Sequence, residues 1–87
     1  MAASTMHVDH YWETVSGTTN IGGYITTPKK AGWILTNAIT VSPSGYGVIV
    51  AEYGSNGYIL AYVGFTSSGL VLYTNQPVSV KVRWEKV

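Results

Sequence analysis

The chain has 87 residues and a net charge of +1; only 10% of its residues are charged, while 46% are hydrophobic and 13% aromatic. An ordinary soluble domain carries about 25% charged residues, so part of this surface is expected to lie against something other than water. The near-neutral balance gives no electrostatic footprint for nucleic acid, the lack of cysteine excludes disulfides and thiolate chemistry, and no apolar run approaches the roughly 20 residues of a membrane-inserted helix.

In chain order, residues 1–5 read as an added leader or a disordered start, and residues 6–87 as a single domain. Residues 6–15, MHVDHYWETV, are the first predicted strand. Alternation places His7, Asp9, Tyr11 and Glu13 on one face, with Val8, His10, Trp12 and Thr14 on the other. Trp12 is assigned to packing, as is Trp84 near the chain end. Residues 16–20, SGTTN, form a turn cluster, and residues 21–27 a weak strand containing Gly22-Gly23. In residues 28–32 a proline and paired lysines oppose strand addition.

Residues 33–42, WILTNAITVS, are rich in β-branched side chains and stop at Pro43-Ser44-Gly45, which favours a strand over a short helix. Residues 46–65 read as a long hairpin turning at Asn56-Gly57. A short strand at 70–74 lies between loops at 66–69 and 75–77. Residues 78–87 alternate cleanly, with Val78, Val80, Val82 and Trp84 against Ser79, Lys81, Arg83 and Glu85. Short strands at this spacing with no convincing helix predict an all-β protein, a small antiparallel β-sandwich of six or seven strands.

The hairpin is apolar on both faces. A two-residue loop groups Val48 and Val50 with Ile59, Ala61, Val63 and Phe65, and Ile49, Ala51 and Tyr53 with Tyr58, Leu60 and Tyr62. The strand at 78–87 offers one clean apolar face to pack against. We therefore expect Val48, Val50, Ile59, Val63 and Phe65 in the intrachain core, and Ile49, Ala51, Tyr53, Leu60 and Tyr62 at a subunit interface.

The residues give little support to catalysis. Asp9 and Glu13, four apart on one strand, are separated by about 13 Å, too far to act as a pair. Glu52 interrupts an apolar face, but a lone glutamate near a hairpin end is expected to reach solvent or a neighbouring group. His7 and His10 point to opposite sides of a strand and cannot share an ion within one chain, although copies of one of them could meet on a symmetry axis. No phosphate-binding glycine loop or nucleophile motif is present, and no cofactor is expected.

The entry SGTTN (16–20), the strand ILTNAIT (34–40), the hairpin VIVAEYGSNGYILAYVGF (48–65) and the closing PVSVKVRWEKV (77–87) together resemble the C-terminal host-recognition domains of bacteriophage tail fibres. The resemblance implies a lectin-like β-sandwich, a homotrimer at a virion fibre tip, that binds a saccharide or other envelope component of the bacterial surface. Sugar sites combine an aromatic platform with directional hydrogen bonds, which makes Tyr46, Asn56, Tyr58 and Trp33 the candidate ligand residues. Two other classes remain: a trimerisation cap or capsid or tail decoration protein without ligand, and a small inhibitor of a host protein acting through an edge strand.

Overall fold

The computed structural model describes residues 9–87; the residues assigned to a leader, His7 and the start of the first predicted strand lie outside the described residues. The architecture is all-β and antiparallel. Among the described residues the seven strands are β1 (His10–Thr18), β2 (Tyr24–Pro28), β3 (Trp33–Ser42), β4 (Gly47–Tyr53), β5 (Gly57–Thr66), β6 (Gly69–Leu72) and β7 (Pro77–Lys86). They form a three-stranded sheet ordered β1-β7-β3 and a four-stranded sheet in which β5 is flanked by β4 on one side. On the other side of β5, β2 pairs with its first half and β6 with its last four residues. Tyr62 marks the join: its N–H donates to Gly23 and its carbonyl accepts from Tyr73.

The clean alternation of the last strand sets the core. Val78, Val80, Val82 and Trp84 face the opposite sheet and meet Ile25, Leu35, Tyr58, Leu60 and Tyr62. Trp84 is fully buried. Truncating a buried tryptophan to alanine removes about 3–5 kcal/mol, a large part of what a domain of this size has. The Tyr62 hydroxyl ties the sheets together by bonding the carbonyls of Ser42 and Ser79, and burial pushes its pKa up.

Several boundaries differ from expectation, each for a local reason. β1 runs on through Ser16-Gly17-Thr18 because its ladder with β7 continues to the pair Thr18 and Pro77; pairing overrides the turn preference of those residues. β2 starts at Tyr24, not at residue 21. The Asn20 carboxamide accepts from the N–H groups of Gly22, at 2.8 Å, and Tyr24, at 3.4 Å, and holds the intervening residues in a turn. Thr19 beside it is buried and exchanges hydrogen bonds with Gln76. In β3, register shifts between Leu35 and Asn37 and between Thr40 and Ser42 break the simple alternation. Leu35 and Ala38 thus both pack against the core, while Ile39 and Val41 are exposed.

The largest correction concerns the hairpin. Tyr53 pairs with Gly57, so the loop is Gly54-Ser55-Asn56, three residues, with Gly54 at φ +62. A left-handed residue opens this turn, two positions before the expected Asn56-Gly57 turn. An odd loop pairs even residues with even ones: Val48 faces Tyr62 and Val50 faces Leu60. The two faces of β5 therefore exchange roles relative to the expectation. Leu60 and Tyr62, expected at a subunit interface, are 0% exposed within the core. Ile59 and Phe65, expected in the core, lie on the outer face; Val63 is buried, but outside the core cluster. Val48 and Val50 pack against the core as expected.

Candidate interaction surfaces

The outer face of the four-stranded sheet follows from this register. β4 contributes Ile49, Ala51 and Tyr53, each directly opposite a residue of β5 on the same side: Ala61, Ile59 and Gly57. β2 adds Tyr24, Thr26 and Pro28, and the Tyr24 ring lies 6.3 Å from that of Tyr53. At the far end Phe65 and Val63 pair with Leu70 and Leu72 of β6. Among the described residues no charged side chain stands on this face. Phe65 is 78% exposed and Tyr53 54% exposed, and Ile49, Leu70 and Leu72 are also open to solvent. Three strand columns about 4.8 Å apart and a ten-residue strand rising about 3.3 Å per residue give the face a projected area of roughly 500 Å². That is at the upper end of the 300–600 Å² or so of apolar patch a monomer ordinarily leaves open. Ile49, Ala51 and Tyr53, expected at a subunit interface, are on it. Phe65, Leu70 and Leu72 complete it and were not foreseen.

The opposite outer face, on the three-stranded sheet, is polar along its central strand. Lys81, Arg83 and Glu85 of β7 project there, flanked by Trp12 and Thr14 of β1. Trp12 is 40% exposed, so its assignment to packing was incorrect: it occupies the outer side of an edge strand, and the core side is taken by Tyr11, Glu13 and Val15.

One end of the sandwich holds most of the remaining charge. Glu13 accepts from the Trp84 indole N–H at 3.0 Å through one carboxylate oxygen and pairs with Lys30 at 3.1 Å through the other. The Lys30 ammonium lies 5.6 Å from the Tyr11 ring and 5.3 Å from that of Trp84. The Tyr11 hydroxyl and Glu13 hold its pKa above the ordinary lysine value. Lys29 pairs with Glu52 at 2.7 Å, and this bond lowers the Glu52 pKa. The Glu52 side chain is 70% exposed, an environment for a solvated ion pair and not for a general acid.

The four candidate ligand residues do not converge. Tyr58 is buried in the core, where its hydroxyl accepts from Leu35 N–H at 3.4 Å and its ring meets Trp84 at 5.9 Å, so it is withdrawn from ligand contact. The even-numbered face of β5 turns inward, and Tyr58 goes with it. Trp33 is half-buried and packs edge-on against Tyr11 at 4.8 Å. Asn56 is exposed in the hairpin loop and lines a shallow cleft of about 360 Å³ with Thr26, Pro28 and Tyr53. Tyr46 is at the opposite end of the sandwich, half-buried over Gly64, with its ring tilted against that of Tyr73 at 4.7 Å.

Among the described residues no group of three or more histidine, aspartate or glutamate side chains comes together to hold a metal ion. His10 is exposed on β1. Comparison with protein-family models, with curated proteins and with solved structures gave no match to this chain.

Proposed function

We propose that the chain is a non-catalytic binding module that assembles with copies of itself through the outer face of the four-stranded sheet and serves as the receptor-binding tip of a phage fibre. The observation that carries this reading is the charge-free apolar face from Tyr53 to Phe65. Its occupant is a second copy of the chain. An uncharged surface offers no charge pattern by which a foreign partner is selected, whereas flat apolar surfaces match one another. A standard interface takes about 800 Å² of accessible surface per partner, and the side chains standing off this sheet bring its accessible area toward that value.

The face has two lobes, Tyr24 with Tyr53 at one end and Phe65 with Leu70 at the other. The arrangement we propose is a closed threefold ring, in which one lobe of each subunit is given and the other received; a twofold dimer would pair the same lobes reciprocally, and solution mass separates the two. The engagement of Glu13, Glu52 and Glu85 in ion pairs supports the non-catalytic part of the reading. Bacterial surface glycan is the ligand this module would meet at a fibre tip.

Adsorption of labelled protein to a panel of bacterial cells tests the proposal. The unaltered protein is expected to sediment with cells of at least one kind. The double variant Ile49→Lys/Phe65→Lys, folded but monomeric, is expected to lose apparent affinity by at least about 100-fold through lost multivalency. An oligomer that adsorbs to no cell would reject the receptor reading in favour of a cap or decoration protein.

A further inference from the structure

The two outer faces of the sandwich have opposite chemistry. If the apolar one is turned toward sister subunits, the polar one is left facing outward. We propose that this polar face, on the three-stranded sheet, is a platform for acidic saccharides, on which the Trp12 indole carries a sugar ring and Lys81 receives the carboxylate. The inference rests on the reading of the chain as a binding module, and it names the ligand class and the residues.

Trp12 is the first observation. The other two tryptophans are used inside the fold: Trp84 is fully buried, and Trp33 packs against Tyr11. Trp12 is left open, on a strand whose outer side is otherwise His10, Thr14 and Ser16. Among the described residues its indole N–H donates to no protein acceptor. A flat, exposed indole with a free donor matches the C–H face of a pyranose ring and one of its hydroxyls.

Lys81 is the second observation. The chain has four acidic side chains, all among the described residues. Glu13, Glu52 and Glu85 are taken by Lys30, Lys29 and Arg83. Lys81 has no carboxylate within ion-pair distance, and its ammonium stands over the Trp12 ring, 5.7 Å from its centre. An unpaired cation over an exposed aromatic ring meets the two needs of a uronic or sialic acid, a countercharge and, once the flexible lysine stem swings aside to the carboxylate, a stacking surface.

Hydroxyl groups extend the platform. Thr14 lies directly across from Lys81, and Ser16 across from Ser79, their hydroxyls 2.8 Å apart. The ranks Trp12–Arg83, Thr14–Lys81 and Ser16–Ser79 are spaced about 7 Å along the strands, room for a short oligosaccharide. The last rank opens into a cleft of about 470 Å³ whose lining includes Ser16, Thr18, Ser42 and Ser79. An acidic peptide would match Lys81 but would leave the stacking surface and the row of hydroxyls without purpose.

Titration calorimetry with an oligogalacturonate, and with a neutral maltooligosaccharide of equal length, tests the proposal on the assembled protein. The acidic oligomer is expected to bind, and to bind more weakly as salt rises from about 0.05 to 0.5 M. Trp12→Ala is expected to abolish binding, and Lys81→Gln to weaken it by about tenfold. Solution mass is measured for each variant alongside. Equal affinity for the neutral oligomer, binding that survives Trp12→Ala, or no binding by a protein that is fully assembled would each overturn the acidic-saccharide platform. Loss of assembly in the unaltered protein would instead strike at the reading of the chain as an oligomeric module.

Discussion

At the scale of single residues, the fold depends on a few polar groups that secure large aromatic ones. Glu13 is the clearest case. Its carboxylate is the hydrogen-bond acceptor of the fully buried Trp84 and the partner of Lys30. Replacing it by leucine leaves a buried indole N–H unpaired, which costs about 1–3 kcal/mol. Glu13→Leu is therefore expected to lower the denaturation midpoint clearly, and Glu13→Gln, which keeps an acceptor oxygen, to lower it by less. Equal effects of the two substitutions in chemical denaturation would show that the indole bond contributes little. The sequence indicates that Glu13 and Tyr11 share a face. It does not indicate that the face is the inner one, because a carboxylate on the core side is unfavourable until an indole and a lysine are brought to it from β7 and the loop after β2. Trp12 illustrates the converse. Its size suggests burial, but parity on β1 excludes it once Tyr11 and Val15 have turned inward.

At the scale of elements, one loop residue decides the identity of both faces of the hairpin. The two apolar sets on β4 and β5 are each legible in the sequence. How they combine depends on whether the loop is odd or even, and Gly54 at positive φ makes it three residues. The last strand, with charges on one side and aliphatic groups on the other, could be oriented without ambiguity. The hairpin could not, because neither of its faces carries enough charge to mark the wet side. The register can be checked with adjacent residues. Leu60→Lys places an unpaired ammonium in the core and is expected to cost at least about 4 kcal/mol, enough to unfold much of the population of a small domain. Ile59→Lys points the same group outward and is expected to leave the thermal transition of the isolated subunit within a few degrees of the unaltered chain. The reverse ranking in a melting experiment would restore the two-residue turn and its exchanged faces. The bulges in β3 are the other feature hidden from pattern reading: strict alternation through residues 33–42 places Ile39 with Leu35, whereas the register shift leaves Ile39 outside.

At the scale of the whole molecule, the low charge of the chain has a structural location. The charged side chains of Lys81, Arg83 and Glu85 stand on one outer face, and those of Glu13, Lys29, Lys30 and Glu52 cluster toward one end; none stands on the outer face of the four-stranded sheet. A 10% charged composition suggests a covered surface without saying where it lies. The register gathers Ile49, Tyr53, Phe65, Leu70 and their neighbours on one apolar face, the surface we propose is covered. Covering that face with sister subunits would remove a broad apolar surface from water, worth about 25 cal/mol for every Å² buried before the cost of association is met. It would also leave the Trp12 and Lys81 face directed outward.

Molar mass in solution, by sedimentation equilibrium on the unaltered protein and on Ile49→Lys/Phe65→Lys, tests the self-association of this face most directly. The expected result is three times the 9.4 kDa of one chain for the unaltered protein, falling to a single chain in the variant with its strand content retained. A dimer mass would keep the face and discard the threefold arrangement. A mass of one chain for the unaltered protein across its soluble concentration range would contradict self-association through this face.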